Sequence, residues 1–395
     1  MQESTGYPTS TTKLPSEVFN KLTELPCGTQ MNLEWFQTHV WSDTTKFTIP
    51  ESQVICGMQA NIYKIVLSNN AGDKHLSLIA KRVVPSELPS KASMELWQDF
   101  LDSVKREVEF YNTKTAKIPQ LFPQIYYSHG FQDPKDVMKS FYLIIMSDVS
   151  ESYFQKTSMN EKQASDLMKT LAQFHAQFWL HQNTNSEDRG SFWVLSRRNP
   201  LKEIENADET WKAILSRFPE FRNLGLEDIE DLGKLLASKA QLLDDFVSQH
   251  LLTQIHGDCK GWNLFFAKNE ASENQVLLID MQWTGLGHPL QDVVYALTTS
   301  LDADLLHKMD QFLDVYIDNL SKELKFDTSY LKDHFERVWL DYARVIMTGL
   351  WKRFSPENIK KHQNTIGPSM IGRSLLHAEF IIKKVYDLLV IRKIV

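Results

Sequence analysis

The sequence predicts an α+β fold in which a β-rich N-terminal lobe with one long helix precedes a larger, mainly helical C-terminal lobe. Apolar runs of strand length, separated by turn residues, dominate residues 54–146. From about residue 160 onward, apolar residues recur instead at helical spacing. A chain of 395 residues with 42% hydrophobic and 24% charged residues is long enough and apolar enough for such a two-lobed globular unit.

The N-terminal elements follow from their apolar patterns. Residues 54–67, VICGMQANIYKIVL, predict two strands joined by a turn at Gly57. Residues 75–84 predict a third strand, which ends before Pro85. Helical spacing of apolar and aromatic side chains predicts a helix over residues 94–115, and two further strands are predicted at 125–129 and 141–146.

The C-terminal part is predicted to be mostly helical. A helix is expected over residues 161–180, where His175 lies on an apolar face and is expected to be a core histidine. Short strands near 252–255 and 276–279 bracket a polar segment, and helices are expected over most of 200–250 and after Asp292.

The predicted domain boundaries follow from these elements. We expect a loosely ordered lead-in at residues 1–30, an N-lobe at 31–146, a hinge at 147–150 and a C-lobe at 151–395.

Composition excludes several classes of function. The formal charge is −7 and no long basic block occurs, so we expect no nucleic-acid partner. Three widely spaced cysteines favour a reduced compartment, and with no signal-peptide pattern we expect a cytoplasmic protein. No run of about 18 apolar residues occurs, so no transmembrane segment is expected. The C-terminal segment, residues 380–395, is predicted to dock on the core, with contact to a membrane surface as the alternative.

The segment IHGDCKGWNLFF, residues 255–266, combines with VLLIDMQW, residues 276–283, in the pattern that phosphoryl transfer on a kinase-type scaffold requires. Asp258 is the expected catalytic base, which accepts the proton of an attacking hydroxyl. Asn263 and Asp280 supply the oxygen ligands that Mg²⁺ prefers. Lys260 is expected to offset charge on the transferred phosphate, and His256 to buttress the loop. No GxxxxGK[ST], CxxC or HExxH motif occurs, so neither a P-loop nor a zinc site is indicated.

The chain resembles the kinase-like superfamily of aminoglycoside phosphotransferases and choline kinases, and within it the ecdysteroid-kinase-like proteins. The resemblance spans roughly residues 50–300 and is carried by HGDCKGWN, LLIDMQWTGLGHPLQDVVYAL, LAQFHAQFW and KREVEFY. It implies a bilobal protein-kinase-like fold and an ATP- and Mg²⁺-dependent phosphotransferase that acts on a small-molecule alcohol. GTP as donor and the oligomeric state stay open.

The resemblance also implies a nucleotide site. Lys81 falls at the position of the third-strand lysine that contacts the α- and β-phosphates. Its expected partner is Glu107 on the following helix, with Glu109 as the competitor. Gly57 is expected in the loop over the phosphates, which departs from GxGxxG because it has one glycine, and Asn61 is a possible substitute contact.

The hinge and one further aspartate complete the implied roles. The residues Met146, Ser147, Asp148 and Val149 are expected to lie against adenine, with backbone hydrogen bonds at about 147–149. Asp292 resembles the superfamily's structural aspartate, which braces the catalytic loop.

A small-molecule acceptor is favoured over a protein, because only residues 281–291 separate Asp280 from Asp292. That length leaves no room for an activation segment, and no APE motif follows. Candidate substrate residues are Trp283 and the C-terminal set Tyr342, Arg344 and Trp351, for which core packing is the equal alternative. A catalytically silent nucleotide-binding protein and a protein kinase are the alternative functions.

Overall fold

A computed structural model describes most of the chain, namely residues 21–50, 54–56, 60–69, 72, 74–88, 94–180, 188–198, 201–362 and 374–395. Residues 1–20 of the expected lead-in and the expected phosphate-loop residue Gly57 lie outside the described residues. The predicted fold class is confirmed, because the N-terminal part is rich in sheet and the C-terminal part is mainly helical.

The chain divides into two compact units, each described here by itself. The sheet unit comprises Met1–Phe154 and Leu277–Gln282, and the helical unit comprises Gln155–Val276 and Trp283–Val395.

The strands of seven or more residues all lie in the sheet unit. In chain order they are β1 (Lys46–Thr48), β2 (Val54–Cys56), β3 (Asn61–Ser68), β4 (His75–Val83), β5 (Ile125–Phe131), β6 (Phe141–Ser147), β7 (Tyr153–Gln155), β8 (Thr253–Ile255), β9 (Leu264–Ala267), β10 (Val276–Leu278) and β11 (Gly285–Gly287).

The α-helices concentrate in the helical unit. In chain order they are α1 (Leu33–His39), α2 (Met94–Thr113), α3 (Glu161–Gln177), α4 (Leu195–Arg198), α5 (Ala207–Arg217), α6 (Leu232–Ser238), α7 (Ala240–Ser248), α8 (Leu290–Ser300), α9 (Met309–Leu324), α10 (Lys332–Thr348), α11 (Pro356–His362) and α12 (Leu375–Tyr386), which continues into a π-helical turn, Asp387–Ile391.

The main sheet is antiparallel, with strand order β1-β3-β4-β6-β5 and β2 paired to β3 beside β1. Strand β3 alternates strictly between buried and half-buried residues, so Tyr63, Ile65 and Leu67 share one buried face. The segment before β1 covers that face, because Leu22 and Phe36 belong to the same apolar cluster.

The opposite face of the sheet is directed toward helix α2, which packs against β5 and β6. Lys81 lies on this face of β4, opposite Ile62 of β3 and Ile144 of β6 in the pairing register. Both faces of the sheet are therefore covered, which explains why β6 is buried along almost its whole length.

The helical unit is organised around α3, which packs along α9. Helix α3 begins with a capping box in which Asn160 and Gln163 satisfy each other's backbone N–H groups. Near its end, His175 is fully buried, with Nδ1 2.8 Å from Tyr316 Oη and Nε2 3.1 Å from Asp292 Oδ2. The prediction of a core histidine is confirmed.

The last helix, α12, docks on the helical unit as predicted. Its buried residues include Ile381, Ile382 and Val385, and Lys384 places Nζ 5.1 Å above the Trp339 ring. Among the described residues, no helix is long and apolar enough to span a bilayer.

Candidate active site

The sheet unit brings together a lysine and two carboxylates that are far apart in the sequence. Lys81 Nζ lies 2.7 Å from Glu107 Oε2 on α2 and 2.7 Å from Asp280 Oδ1, just after β10. Burial by itself lowers the pKa of Lys81, but the charges of Asp280 and Glu107 outweigh it and raise the pKa above the ordinary value. Lys81 therefore stays a cation, held between two carboxyl groups.

Glu107, and not its competitor Glu109, faces Lys81. Residues two apart in a helix point in different directions, so only one of them can meet β4. The Glu107 side chain is 1% exposed, whereas Glu109 is exposed and pairs with Lys105 on the helix surface. Burial raises the pKa of Glu107 to about 7, against the opposing effect of Lys81.

Asp280 adopts a left-handed backbone conformation, with φ +64°. This region costs most residues with a side chain about 1–2 kcal/mol, although aspartate enters it more readily than most. Its backbone N–H donates to Tyr111 Oη at 3.2 Å. Tyr111 follows Glu107 by one helical turn on α2, so it lies on the same face of that helix. The sequence analysis missed Tyr111, although its position four residues after Glu107 was a usable signal.

The four hinge residues lie at and after the end of β6. Met146 pairs with Ile79 inside the sheet. The N–H groups of Ser147 and Asp148 donate to the carbonyls of Gln124 and Ser77. These two donors are thus already used within the sheet unit, and the Val149 carbonyl accepts the N–H groups of Ser152 and Tyr153, which leaves the N–H of Val149 as the expected contact to adenine.

Asp148 itself is a structural residue of the hinge. Its Oδ2 accepts from Ser77 Oγ at 3.0 Å and lies 2.8 Å from Lys64 Nζ, and its Oδ1 accepts from Ser150 N–H at 2.9 Å. Burial raises its pKa, but these hydrogen bonds outweigh it and hold the pKa below its usual value. The carboxylate therefore fixes the hinge to β3 and β4.

The structure does not bring Asn61 together with Lys81. In the antiparallel register Asn61 pairs with Arg82, and Ile62 pairs with Lys81. Successive side chains of a strand point to opposite faces, so Asn61 lies on the face covered by the N-terminal segment. Arg82, on that same face, donates to the backbone carbonyls of Leu22 and Glu24.

The helical unit holds the predicted base in a loop between β8 and β9. Asp258 is 6% exposed, and hydrogen bonds reach both of its carboxylate oxygens. Tyr295 Oη donates to Oδ1 at 2.8 Å, while Lys260 Nζ and Asn263 Nδ2 lie 2.6 and 3.0 Å from Oδ2. Three predicted residues thus converge, and Tyr295 on α8 is a fourth that the sequence analysis missed.

Asp292 braces the backbone of this loop. Its carboxylate accepts the N–H groups of His256 and Gly257 at 2.7 and 2.9 Å and also contacts His175. Burial raises the pKa of Asp292, but the hydrogen bond and charge of His175, with the loop's other contacts, outweigh it and lower the pKa. Gly257 has φ +80°, and a Cβ there would lie 2.0 Å from the carbonyl oxygen of Trp283. The loop therefore requires glycine at this position.

Cys259 lies beside the base but is fully buried. Burial, followed by the charges of Asp292 and Asp258, raises the pKa of its thiol well above the ordinary value. A neutral, inaccessible thiol is unreactive.

Two of the four substrate candidates lie in an aromatic cluster that includes Tyr295. The Tyr342 ring lies 5.0 Å from Tyr295 and 4.8 Å from Trp193, and its buried hydroxyl has no hydrogen-bond partner among the described residues. Trp283 is half-buried and reaches the cluster through Phe192, 6.2 Å away.

The other two candidates are packing residues. Arg344 is fully buried and pairs with Asp341 at 2.7 Å, one helical turn earlier on α10. Trp351 is also fully buried, stacked on Phe354 at 5.3 Å and on Trp211 at 6.4 Å. The surroundings of Trp351 are those expected of a residue that packs in the core.

A sequence model described as the ecdysteroid kinase-like family matches residues 57–326, more than half of the chain. The chain belongs to the ecdysteroid kinase-like family. The match includes both constellations around Lys81 and Asp258. Comparison with curated proteins finds no match.

This ecdysteroid kinase-like chain is similar to several solved structures. Choline kinase LicA from Streptococcus pneumoniae is 12% identical, with 94% of this chain and 99% of that chain covered and a TM-score of 0.44. Plasmodium vivax ethanolamine kinase is 12% identical, with 98% and 94% covered and a TM-score of 0.48. The GDP complex of wild-type aminoglycoside 2'-phosphotransferase-IIIa is 12% identical, with 90% and 99% covered and a TM-score of 0.43.

Asn263 belongs to the helical unit and Asp280 to the sheet unit, so each is considered by itself as a metal ligand. Asn263 and Asp280 offer amide and carboxylate oxygens, which are the ligands of a hard cation. In the described part of the chain, no group of three or more His, Cys, Asp or Glu side chains could hold a metal ion. A closed protein cage of that kind is not needed for Mg²⁺ in phosphoryl transfer, which keeps water and phosphate oxygens as ligands.

Proposed function

We propose that the chain is a small-molecule kinase that uses Mg-ATP and transfers the γ-phosphate to a hydroxyl of a small alcohol. The observation that carries this proposal is the contact of Lys81 Nζ with both Glu107 and Asp280 at 2.7 Å. A lysine placed in a buried strand and flanked by two carboxylates is costly to desolvate, so a purely structural role is a poor explanation. In protein kinases a third-strand lysine that pairs with a helix glutamate contacts the ATP phosphates, and an aspartate beside it binds Mg²⁺.

In this proposal the sheet unit binds the nucleotide. Lys81 binds the α- and β-phosphates, and Glu107 orients its ammonium. The hinge at residues 146–149 lies against the adenine ring of the nucleotide. Asp280 of the sheet unit and Asn263 of the helical unit are each proposed as a ligand of Mg²⁺, which would offset negative charge on the phosphates.

In the helical unit, Asp258 acts as the base. Lys260 and Asn263 contact Oδ2, whereas Oδ1 accepts one hydrogen bond, from Tyr295. A carboxylate oxygen has two lone pairs, so Oδ1 is the atom proposed to receive the acceptor's hydroxyl proton. The acceptor oxygen forms a bond to the γ-phosphorus, the bond from that phosphorus to the bridging oxygen breaks, and ADP leaves. Lys260 balances the charge that moves during this step.

The length of chain after Asp280 supports a small acceptor. Residues 281–291 are all described, and they form a short turn, strand β11 and the start of α8. No peptide-binding segment fits in that length. We propose Trp283 and Tyr342, which lie in the aromatic cluster of the helical unit, as substrate contacts, whereas the fully buried Arg344 and Trp351 are assigned to packing.

The test is incubation of the purified chain with Mg-ATP and a pooled library of choline, ethanolamine, sterols, ecdysteroids, aminoglycosides and hydroxylated amines. Mass spectrometry should detect a product heavier by one phosphate, which the Asp258→Asn variant does not form. Asp327→Asn is the matched control, because Asp327 is an exposed aspartate of the helical unit and its variant should keep full activity. Nucleotide binding without any product would support a silent binder, and phosphate transfer only to protein would support a protein kinase.

A further inference from the structure

Tyr111 forms a second connection between helix α2 and Asp280, in addition to the connection through Lys81. The first connection runs from Glu107 through the Lys81 ammonium to the Asp280 carboxylate. The second runs from the Asp280 backbone N–H to Tyr111 Oη. Glu107 and Tyr111 belong to one helix face, so both connections start from the same rigid element.

The phenol is suited to this contact because it is buried and has lone pairs that can accept a hydrogen bond. Tyr111 is 4% exposed, so solvent has little access to the hydroxyl that accepts from Asp280 N–H.

The contact matters because of the backbone that it holds. Asp280 has φ +64°, a conformation that surrounding contacts must maintain. The direction of the Asp280 carboxylate follows from that backbone conformation. When nucleotide and metal bind, Lys81 and the Asp280 carboxylate each acquire new partners, so the connection through Lys81 weakens. The Tyr111 bond is made to the backbone, and it is not displaced by these ligands.

We infer that Tyr111 is a positioning residue that fixes Asp280 for its metal. This inference rests on the proposed function, because it assigns Asp280 to a nucleotide-bound Mg²⁺. It predicts that removal of the hydroxyl weakens the response of nucleotide binding to Mg²⁺ and leaves metal-free nucleotide binding nearly unchanged, since Lys81 and Glu107 stay in place.

The experiment uses the full chain and a non-hydrolysable ATP analogue, whose affinity is measured by titration calorimetry with EDTA and with increasing Mg²⁺. Tyr111→Phe should keep the metal-free affinity within about twofold and reduce the Mg²⁺-dependent gain by about 3- to 12-fold, the range that corresponds to one hydrogen bond. Tyr63→Phe is the matched control, because Tyr63 is a fully buried tyrosine of the same unit whose hydroxyl donates to the Leu22 carbonyl.

The outcomes separate the inference from the proposed function. If the unmodified chain shows no Mg²⁺-dependent gain in analogue affinity, the proposed function fails and the inference fails with it. If the unmodified chain shows the gain and Tyr111→Phe retains all of it, the inference alone is overturned. Equal losses in Tyr111→Phe and Tyr63→Phe would overturn it as well, because a loss of packing would then explain both.

Discussion

Neutralising Asp292 should uncouple the catalytic loop from the rest of the helical unit. The side chain is fully buried, and its two oxygens accept His256 N–H, Gly257 N–H and His175 Nε2 at 2.7, 2.9 and 3.1 Å. An asparagine keeps one oxygen and turns an NH₂ group toward at least one of these donors. Each hydrogen bond to a charged acceptor contributes about 1.5–3 kcal/mol. One lost bond and the weakening of two others lower the free energy of unfolding by about 3–5 kcal/mol.

Urea denaturation followed by tryptophan fluorescence measures this loss. Asp327→Asn is again the control, since Asp327 accepts two hydrogen bonds from Ser329 but is exposed, and its replacement should leave the midpoint nearly unchanged. Affinity for a metal-free ATP analogue should survive in Asp292→Asn, because Lys81 and Glu107 belong to the sheet unit, while phosphate transfer should be lost. A variant with the stability and transfer rate of the unmodified chain would refute the assignment of Asp292 as the brace of the loop.

Three further predictions concern the helical unit. Tyr295→Phe removes the 2.8 Å hydrogen bond to Asp258 Oδ1. In steady-state assays it should lower kcat by about 10- to 100-fold with little change in KM for ATP. An unchanged kcat would show that Tyr295 does not orient Asp258. Thiol reagents should label exposed Cys27 and leave buried Cys259 unmodified in peptide mass spectra of the native chain, so rapid labelling of Cys259 would contradict its burial. The chain should lose stability as the pH falls from about 6.5 to 4. Burial lowers the pKa of His288 well below its usual value and that of His334 to about 4. The unfolded chain therefore binds protons over this range that the folded chain does not bind. His334→Asn keeps an acceptor for His288 Nε2 and should flatten the dependence of melting temperature on pH over that range. An unchanged slope would show that other groups cause the pH dependence.

The sequence predicted those site residues that lie close to one another along the chain. Asp258, Lys260 and Asn263 lie within one short loop, and the structure brings their side chains together. Tyr295 was not predicted, because its hydroxyl reaches Asp258 across 37 positions and nothing in the local pattern of α8 marks it. Tyr111 reaches Asp280 across 169 positions, so its contact depends on the tertiary fold.

The expectation for Asn61 depended on strand register. A shift by one residue moves a side chain to the other face of a sheet, and the turn that sets this register could not be deduced from one glycine. Three-residue strands such as β1 and β11 are too short to show a period, and the sequence analysis did not predict them. For Arg344, Asp341 lies one helical turn earlier in the sequence DYAR, a spacing that permits the ion pair seen in the structure but that the sequence analysis did not use.

The covering of the sheet by the N-terminal segment has a practical consequence for shortened versions of the protein. The family match begins at residue 57, after Leu22, Trp35 and Phe36, which lie in the core on one face of the sheet. A fragment cut at that boundary would expose Tyr63, Ile65 and Leu67 to solvent and would leave β3 without β1 as a neighbour. A contiguous apolar face beside an unpaired strand favours aggregation. The smallest soluble fragment should therefore start well before the region of shared sequence.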